Sequence, residues 1–167
     1  ARGVFLELER SYHLGRGTGW TARDVVHHPG SVAVVAWDGR HLHLLRQYRA
    51  AVQGPLLELP AGKRDVAGED PAETARRECI EEMGLHPARV SLLHRAYTSP
   101  GFTDELTWIF LAEDLEEVPS DPQGLEEMAA TRVALTLEEA LEAVAAGEIH
   151  DAKTIVGVYA LARRLGR

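Results

Sequence analysis

Apolar and polar positions alternate along this chain in blocks that predict strands and helices in turn. Ser31 to Trp37 is an almost unbroken apolar run, Asp38-Gly39 offers a tight turn, and His41 to Tyr48 returns, which predicts a hairpin. His41 and His43 then share one face of the second strand. After Gly54-Pro55, Leu56 to Pro60 predicts a short strand that runs into Ala61-Gly62 and a polar turn ending at Asp70. There a helix begins. Asp70 suits the N-cap, Pro71 the first helical position and Glu73 an acidic variant of the capping box, while Gly84 stops the helix after Met83. Strands are predicted over Val90 to Tyr97 and Leu106 to Ala112, joined by a loop from Thr98 to Glu105. A second capped helix follows Thr136, with Glu139 three residues on and Gly147 past its end, and a third runs from about Asp151 to Leu165. The expected fold class is α/β (α+β), a sandwich with a mixed sheet.

Length and charge narrow the picture. With 167 residues the chain is enough for one core, and 26 acidic against 18 basic residues give a net charge of −8. That balance argues against a nucleic-acid partner held by a broad basic surface, and a polyphosphate ligand would need divalent cations to reverse the local sign. No apolar run approaches the roughly 20 residues of a spanning helix, so no membrane association is expected. Ala1 to Arg10 lacks the apolar core of a secretory signal, which points to a cytoplasmic location. Cys79 is the only cysteine, so neither an intrachain disulfide nor a cysteine-built zinc cage is available, and it reads as a small core residue.

The helix from Pro71 is two-sided. Ala72, Ala75, Cys79 and Met83 recur at spacings of three and four and form an apolar stripe. Glu78, Glu81 and Glu82 crowd another face, a spacing that costs a bare helix a few tenths of a kcal/mol per like-charged pair. A hard cation such as Mg²⁺, with waters and phosphate oxygens completing its shell, offsets that cost. Arg76 and Arg77 are expected to hold the cluster together when it is empty. The plainer alternative is a solvated acidic face paired with those two arginines.

At these residues a family resemblance becomes specific. Gly62, then Glu69, then Arg77-Glu78-Cys79-Ile80-Glu81-Glu82-Met83-Gly84-Leu85 resembles the Nudix box. The six residues Lys63 to Gly68 are one more than the pattern has between its Gly and first Glu, which puts the placement of Glu69 in question. The resemblance implies a Nudix-type α/β/α sandwich and attack of water on a phosphorus of an X-linked nucleoside diphosphate. It implies Mg²⁺ as the cofactor, with Mn²⁺ as a substitute. Glu78 and Glu82 would be the principal metal ligands, Glu81 an auxiliary one, the Ala61 carbonyl a further one, and Arg77 the residue that orients the carboxylates.

Outside the box, Arg46-Gln47-Tyr48-Arg49, Glu58-Leu59-Pro60-Ala61-Gly62 and Ser99-Pro100-Gly101-Phe102-Thr103-Asp104-Glu105 resemble the ADP-ribose pyrophosphatase branch of that family. This implies a homodimer in which residues 1–30 form a small N-terminal β extension for dimerisation and substrate binding, with a Nudix domain over 31–167. It also implies a substrate site at Arg49, Glu58, Ser99, Gly101, Phe102 and Glu105. For Arg49 the alternative is a surface strand residue paired with a nearby acid. The branch places its general base on a loop matching Ser120 to Ala130, where Glu127 is preferred over Glu126. Trp20, Trp37 and Trp108 are more simply packing residues than base-stacking ones, and His27, His28, His41 and His43 more simply polar residues than ligands. The partner expected is a small nucleoside diphosphate sugar, most of all ADP-ribose, split into AMP and ribose 5-phosphate. The alternatives are other nucleotide sugars or oxidised nucleotides, or a non-catalytic nucleotide-sensing module, against which the intact box argues.

Overall fold

The computed structural model describes residues 6–15, 17, 19–121 and 129–167. Two sheets and three helices are assigned among them. Strands β1 (Glu7–Gly15) and β2 (Gly19–His27) form a separate antiparallel two-stranded sheet. The main sheet has seven strands: β3 (Ser31–Trp37), β4 (His41–Arg49), β5 (Gly54–Glu58), β6 (Ala61–Lys63), β7 (Leu85–Tyr97), β8 (Leu106–Glu117) and β9 (Thr131–Thr136). The helices are α1 (Pro71–Met83), α2 (Leu137–Ala145) and α3 (Ala152–Arg164).

β3 is central because its run has no polar side to give water. Its odd members Ala33, Val35 and Trp37 join a core beneath α2 and α3, while Val32, Val34 and Ala36 join a second core with Ala75, Cys79 and Met83 of α1. A strand buried on both faces reads as a continuous apolar run, and two cores on two faces make the α/β/α sandwich. Cys79 is fully buried, as the stripe requires, and burial pushes its thiol up to about 12.

The path through the main sheet is β5-β4-β3-β8-β7, mixed because β3 and β8 run parallel. β3 pairs with β4 only at Ala36–His43 and Trp37–Leu42, next to their turn. Beyond that point β4 pairs with β9 and β5, and β6 takes the released edge of β3, from Ser31–Lys63 to Ala33–Ala61. This divergence carries Ala61-Gly62 to the middle of the sheet.

Several boundaries differ from expectation. The strand predicted over 56–60 is β5, which starts at Gly54 and ends at Glu58, and the expected turn at Ala61-Gly62 is instead the short strand β6. β7 starts at Leu85 rather than Val90 and contains Pro87, which an edge strand tolerates since its missing N–H has no ladder to serve on the outer side. β8 continues to Glu117, and β9 was not foreseen. All three helices fall within a residue of their predicted limits: α1 is capped by Asp70, whose side chain accepts the Ala72 N–H, and α2 by the reciprocal Thr136–Glu139 box. Glu73 lies 3.6 Å from Arg76. No helix among the described residues is long and apolar enough to cross a membrane.

Candidate active site

The turn after β6 and the exposed side of α1 form one wall of a cavity of about 910 Å³. Glu78, Glu81 and Glu82 line it with Arg77 and Ala61, so the spacing of the helix does bring the three carboxylates to one surface. Glu78 is buried, and its carboxylate lies so close to Gly62 that a Cβ there would stand 1.9 Å from an oxygen. Only glycine leaves that space. The Ala61 N–H donates to Glu82 Oε2 at 2.9 Å, fixing that side chain against the β6 turn.

Arg77 is the hub of this wall. Its guanidinium donates to Glu78 at 2.9 Å, to Glu81 at 3.1 Å and to both oxygens of Glu69 at 3.2 and 3.3 Å. Bonding to Glu69 first, and the fields of Glu78, Glu69 and Glu81 after it, hold the Arg77 pKa above its ordinary value against the cost of burial. In return the Arg77 bonds, opposed by desolvation and helped by Thr74, keep the Glu69 carboxyl below its usual range. The extra residue in the turn therefore leaves Glu69 within reach of the helix. Arg76 takes no part in this hub and points instead to Glu73 and to the Pro87 carbonyl of β7.

A second wall is assembled from distant segments. Glu58, at the end of β5, is 1 % exposed and accepts from Arg49 Nε and Nη2 at 2.8 and 2.9 Å. The Lys153 ammonium, from the first turn of α3, reaches the same carboxylate and also Asp151 at 2.9 Å. Burial alone would push the Glu58 carboxyl up; the bonds and charges of Arg49 and Lys153 outweigh it and hold the group below its ordinary value. Arg49 is accordingly paired with an acid and still lines the cavity. Thr154 locks the wall in place, accepting the Leu59 N–H at 2.9 Å and donating to Asp151 at 2.6 Å.

The third side is the Thr98–Glu105 loop. Ser99, Phe102 and Glu105 line the cavity, whereas Gly101 lies off its wall and Glu58 stands behind Arg49 and Lys153. Glu105 is held by the hydroxyls of Ser31 and Thr98 at 2.9 and 2.8 Å. The N-terminal hairpin is fastened to this loop: the Val26 N–H donates to the Phe102 carbonyl at 2.7 Å, and His27 bridges Asp104 and Glu9 at 2.7 and 2.8 Å. His28 also lines the cavity, while His41 and His43 contact Asp38 away from it. Trp37 is core, the Trp108 ring takes the guanidinium groups of Arg64 and Arg95 at 5.6 and 4.9 Å from its centre, and Trp20 is exposed on the hairpin. Glu126 and Glu127 lie outside the described residues.

Sequence reasoning missed Gln47, Lys153, Asp151 and His28 as cavity residues. Gln47 stands within the Arg46-Gln47-Tyr48-Arg49 motif and shares a strand face with Arg49, which was a usable signal. Lys153 carried none, since 95 residues separate it from Glu58.

Among the described residues no three Asp, Glu, His or Cys side chains already converge on one point as a closed metal cage. Arg77 holds Glu78 and Glu81 toward itself, and the Ala61 N–H holds Glu82. The donor chemistry nevertheless fits a hard divalent ion: anionic oxygens one helical turn apart, one of them buried beside a glycine, on the wall of an open cavity. Mg²⁺ is commonly held by one or two carboxylates with waters and phosphate oxygens rather than by a full protein cage.

The NUDIX domain family model matches residues 27–155. An ADP-ribose pyrophosphatase of Bacillus subtilis (strain 168) is 38 % identical over 140 residues, 83 % of this chain and 75 % of its own. One from Mycobacterium tuberculosis is 39 % identical over 160 residues, 95 % of this chain and 77 % of its own. A crystal structure of an ADP compounds hydrolase superposes with a TM-score of 0.87 at 19 % identity, covering 99 % of this chain and 89 % of that one, which establishes the shared fold. The chain belongs to the Nudix family of diphosphate-cleaving hydrolases, in its ADP-ribose pyrophosphatase branch. Hydrolases of this family work with a divalent metal.

Proposed function

We propose that this protein hydrolyses the diphosphate bond of a nucleoside diphosphate sugar with Mg²⁺, ADP-ribose being the substrate favoured and AMP and ribose 5-phosphate the products. The observation that carries the reading is a cavity in which the α1 carboxylates face the same space as Arg49, Lys153 and Phe102. A diphosphate flanked by two sugars needs such mixed surroundings: anionic oxygens to hold cations, and N–H donors beside them for its own oxygens.

Glu78 and Glu82 hold the metal, assisted by Glu81 and the Ala61 carbonyl, and Mn²⁺ replaces Mg²⁺. When bound, the ion neutralises charge growing on the phosphoryl oxygens and lowers the pKa of a water. Arg77 aims the carboxylates from one side, and the Ala61 N–H aims Glu82 from the other. Arg49, ordered by Glu58, donates to the substrate, while Ser99, Phe102 and Glu105 shape the sugar pocket and Gly101 serves the turn of their loop from off its wall. Glu127 takes the proton of the attacking water, with Glu126 as the alternative. Glu127→Gln then loses turnover while Glu126→Gln retains it; the reverse result reassigns the base.

Residues 1–30 serve as an extension that completes the substrate site and a homodimer, in a cytoplasmic enzyme. The exposed Tyr12, Leu14 and Trp20 of the hairpin, together with its bonds to the cavity loop, support that role. The test is a panel of ADP-ribose, other ADP-sugars and GDP-sugars, each with Mg²⁺ and with EDTA, followed by nucleotide release. Preference for ADP-ribose and loss of all turnover in EDTA are expected. Turnover in EDTA would overturn the metal assignment, and preference for a GDP-sugar the substrate.

A further inference from the structure

Gln47 sits in β4 two residues before Arg49, so both side chains leave the strand on the same face, and both line the cavity. Gln47 is 3 % exposed, yet its Nε2 is buried and finds no acceptor among the described residues. A buried amide donor without a partner carries a desolvation cost that a hydrocarbon of the same shape avoids. Arg49 commits Nε and Nη2 to Glu58, and Lys153 is shared between Glu58 and Asp151.

We propose that Gln47 is a substrate-positioning residue whose Nε2 donates a hydrogen bond to a phosphoryl oxygen of the bound diphosphate. The reading rests on the function proposed above and extends it to a residue that the box does not contain. The NH₂ group is donor-only, so its partner must be an acceptor, and the neighbouring cations of Arg49 and Lys153 favour one that bears negative charge. Arg49 has Nη1 outside its pair with Glu58, on the same strand face, so the two residues offer donors side by side to one anion. Glu58 anchors Arg49 beside Gln47 through the bonds it accepts from Nε and Nη2.

Two variants separate this from a structural role and from a sugar contact. Gln47→Leu removes the donor and keeps the bulk; we expect KM for the substrate identified in the panel to rise about tenfold or more, with kcat changed less, and thermal melting of the ligand-free protein equal to or above that of the wild type. Gln47→Glu replaces the donor by a charged acceptor, and KM rises beyond that of Gln47→Leu because the carboxylate repels a phosphoryl oxygen. An unchanged KM in Gln47→Leu overturns the inference. So does a Gln47→Glu variant with wild-type KM, the result for a hydroxyl partner, which can donate to the carboxylate. A large fall in melting temperature with KM intact in Gln47→Glu assigns the residue to packing. If the wild-type chain turns over no nucleotide sugar at all, the fault lies in the proposed function and not in Gln47; binding of AMP to the wild type and to Gln47→Leu, read by calorimetry, still tests the phosphoryl contact.

Discussion

The two walls of the cavity solve opposite electrostatic problems. On α1 one guanidinium, Arg77, serves three carboxylates, those of Glu69, Glu78 and Glu81. On the second wall one carboxylate, Glu58, is shared by two cations, with Asp151 completing the balance on Lys153. The first wall is short of positive charge and gains from a divalent ion. The second is balanced in charge and has N–H capacity to spare in Gln47 and in Nη1 of Arg49. A metal-bridged diphosphate, the ligand proposed, would supply what each lacks: cations to one, anionic oxygens to the other.

Breaking the first wall should have the largest effect. Glu82→Gln keeps the bond from the Ala61 N–H but removes the charge proposed to hold the metal, so kcat should fall by roughly a hundredfold or more while the melting temperature holds. A steady-state assay paired with a melting curve decides it; retained turnover would reduce the carboxylate face to a solvated surface.

The second wall should respond in stability first. Glu58→Leu leaves Arg49 and Lys153 without their shared partner and should cost about 2–3 kcal/mol in denaturant unfolding, whereas a neutral outcome would mean the pair relaxes into solvent. The pH dependence sharpens this. Glu58 and Glu69 both have carboxyls held below the ordinary value of 4.5, so the stability they contribute is fully present above that pH and is lost as pH falls through their folded values. Glu58→Leu should therefore flatten the acid side of the stability curve. An unchanged acid slope would contradict that assignment.

How far each wall was legible in the sequence follows from how it is built. The α1 wall is local: helical spacing alone stacks Glu78 on Glu82, and Asp70, Pro71 and Gly84 mark the ends of the helix. The second wall needs β4, β5 and the start of α3 to meet, and nothing near Lys153 announces a partner 95 residues earlier. β6 escaped notice because three residues show no periodicity, and β9 because it runs straight into the cap of α2. Pro87 hid the start of β7, since a proline reads as a break unless the strand is known to be an edge. Arg76 was misplaced by one helical step, enough to send it to β7 instead of the acidic face. The question over Glu69 dissolved because the longer turn closes outside the contact between Glu69 and Arg77.

The smallest effect belongs to the hairpin clasp. Bonds to Asp104 and then Glu9 raise the His27 pKa above its ordinary 6.5, so its contribution is complete below that pH and fades as pH rises through the folded value. Amide protection in β1 and β2, taken relative to the intrinsic base-catalysed exchange rate, should fall between neutral and alkaline pH, and His27→Ala should abolish that fall. Protection that does not change with pH would remove His27 from the clasp.

Titration of the protein with Mn²⁺, followed by electron paramagnetic resonance, tests without any need for turnover whether Glu78 and its neighbours on α1 bind divalent ions. Binding by the wild type that weakens at least tenfold in Glu78→Gln, with folding intact by circular dichroism, is the predicted result. Equal Mn²⁺ binding by the two proteins would contradict it.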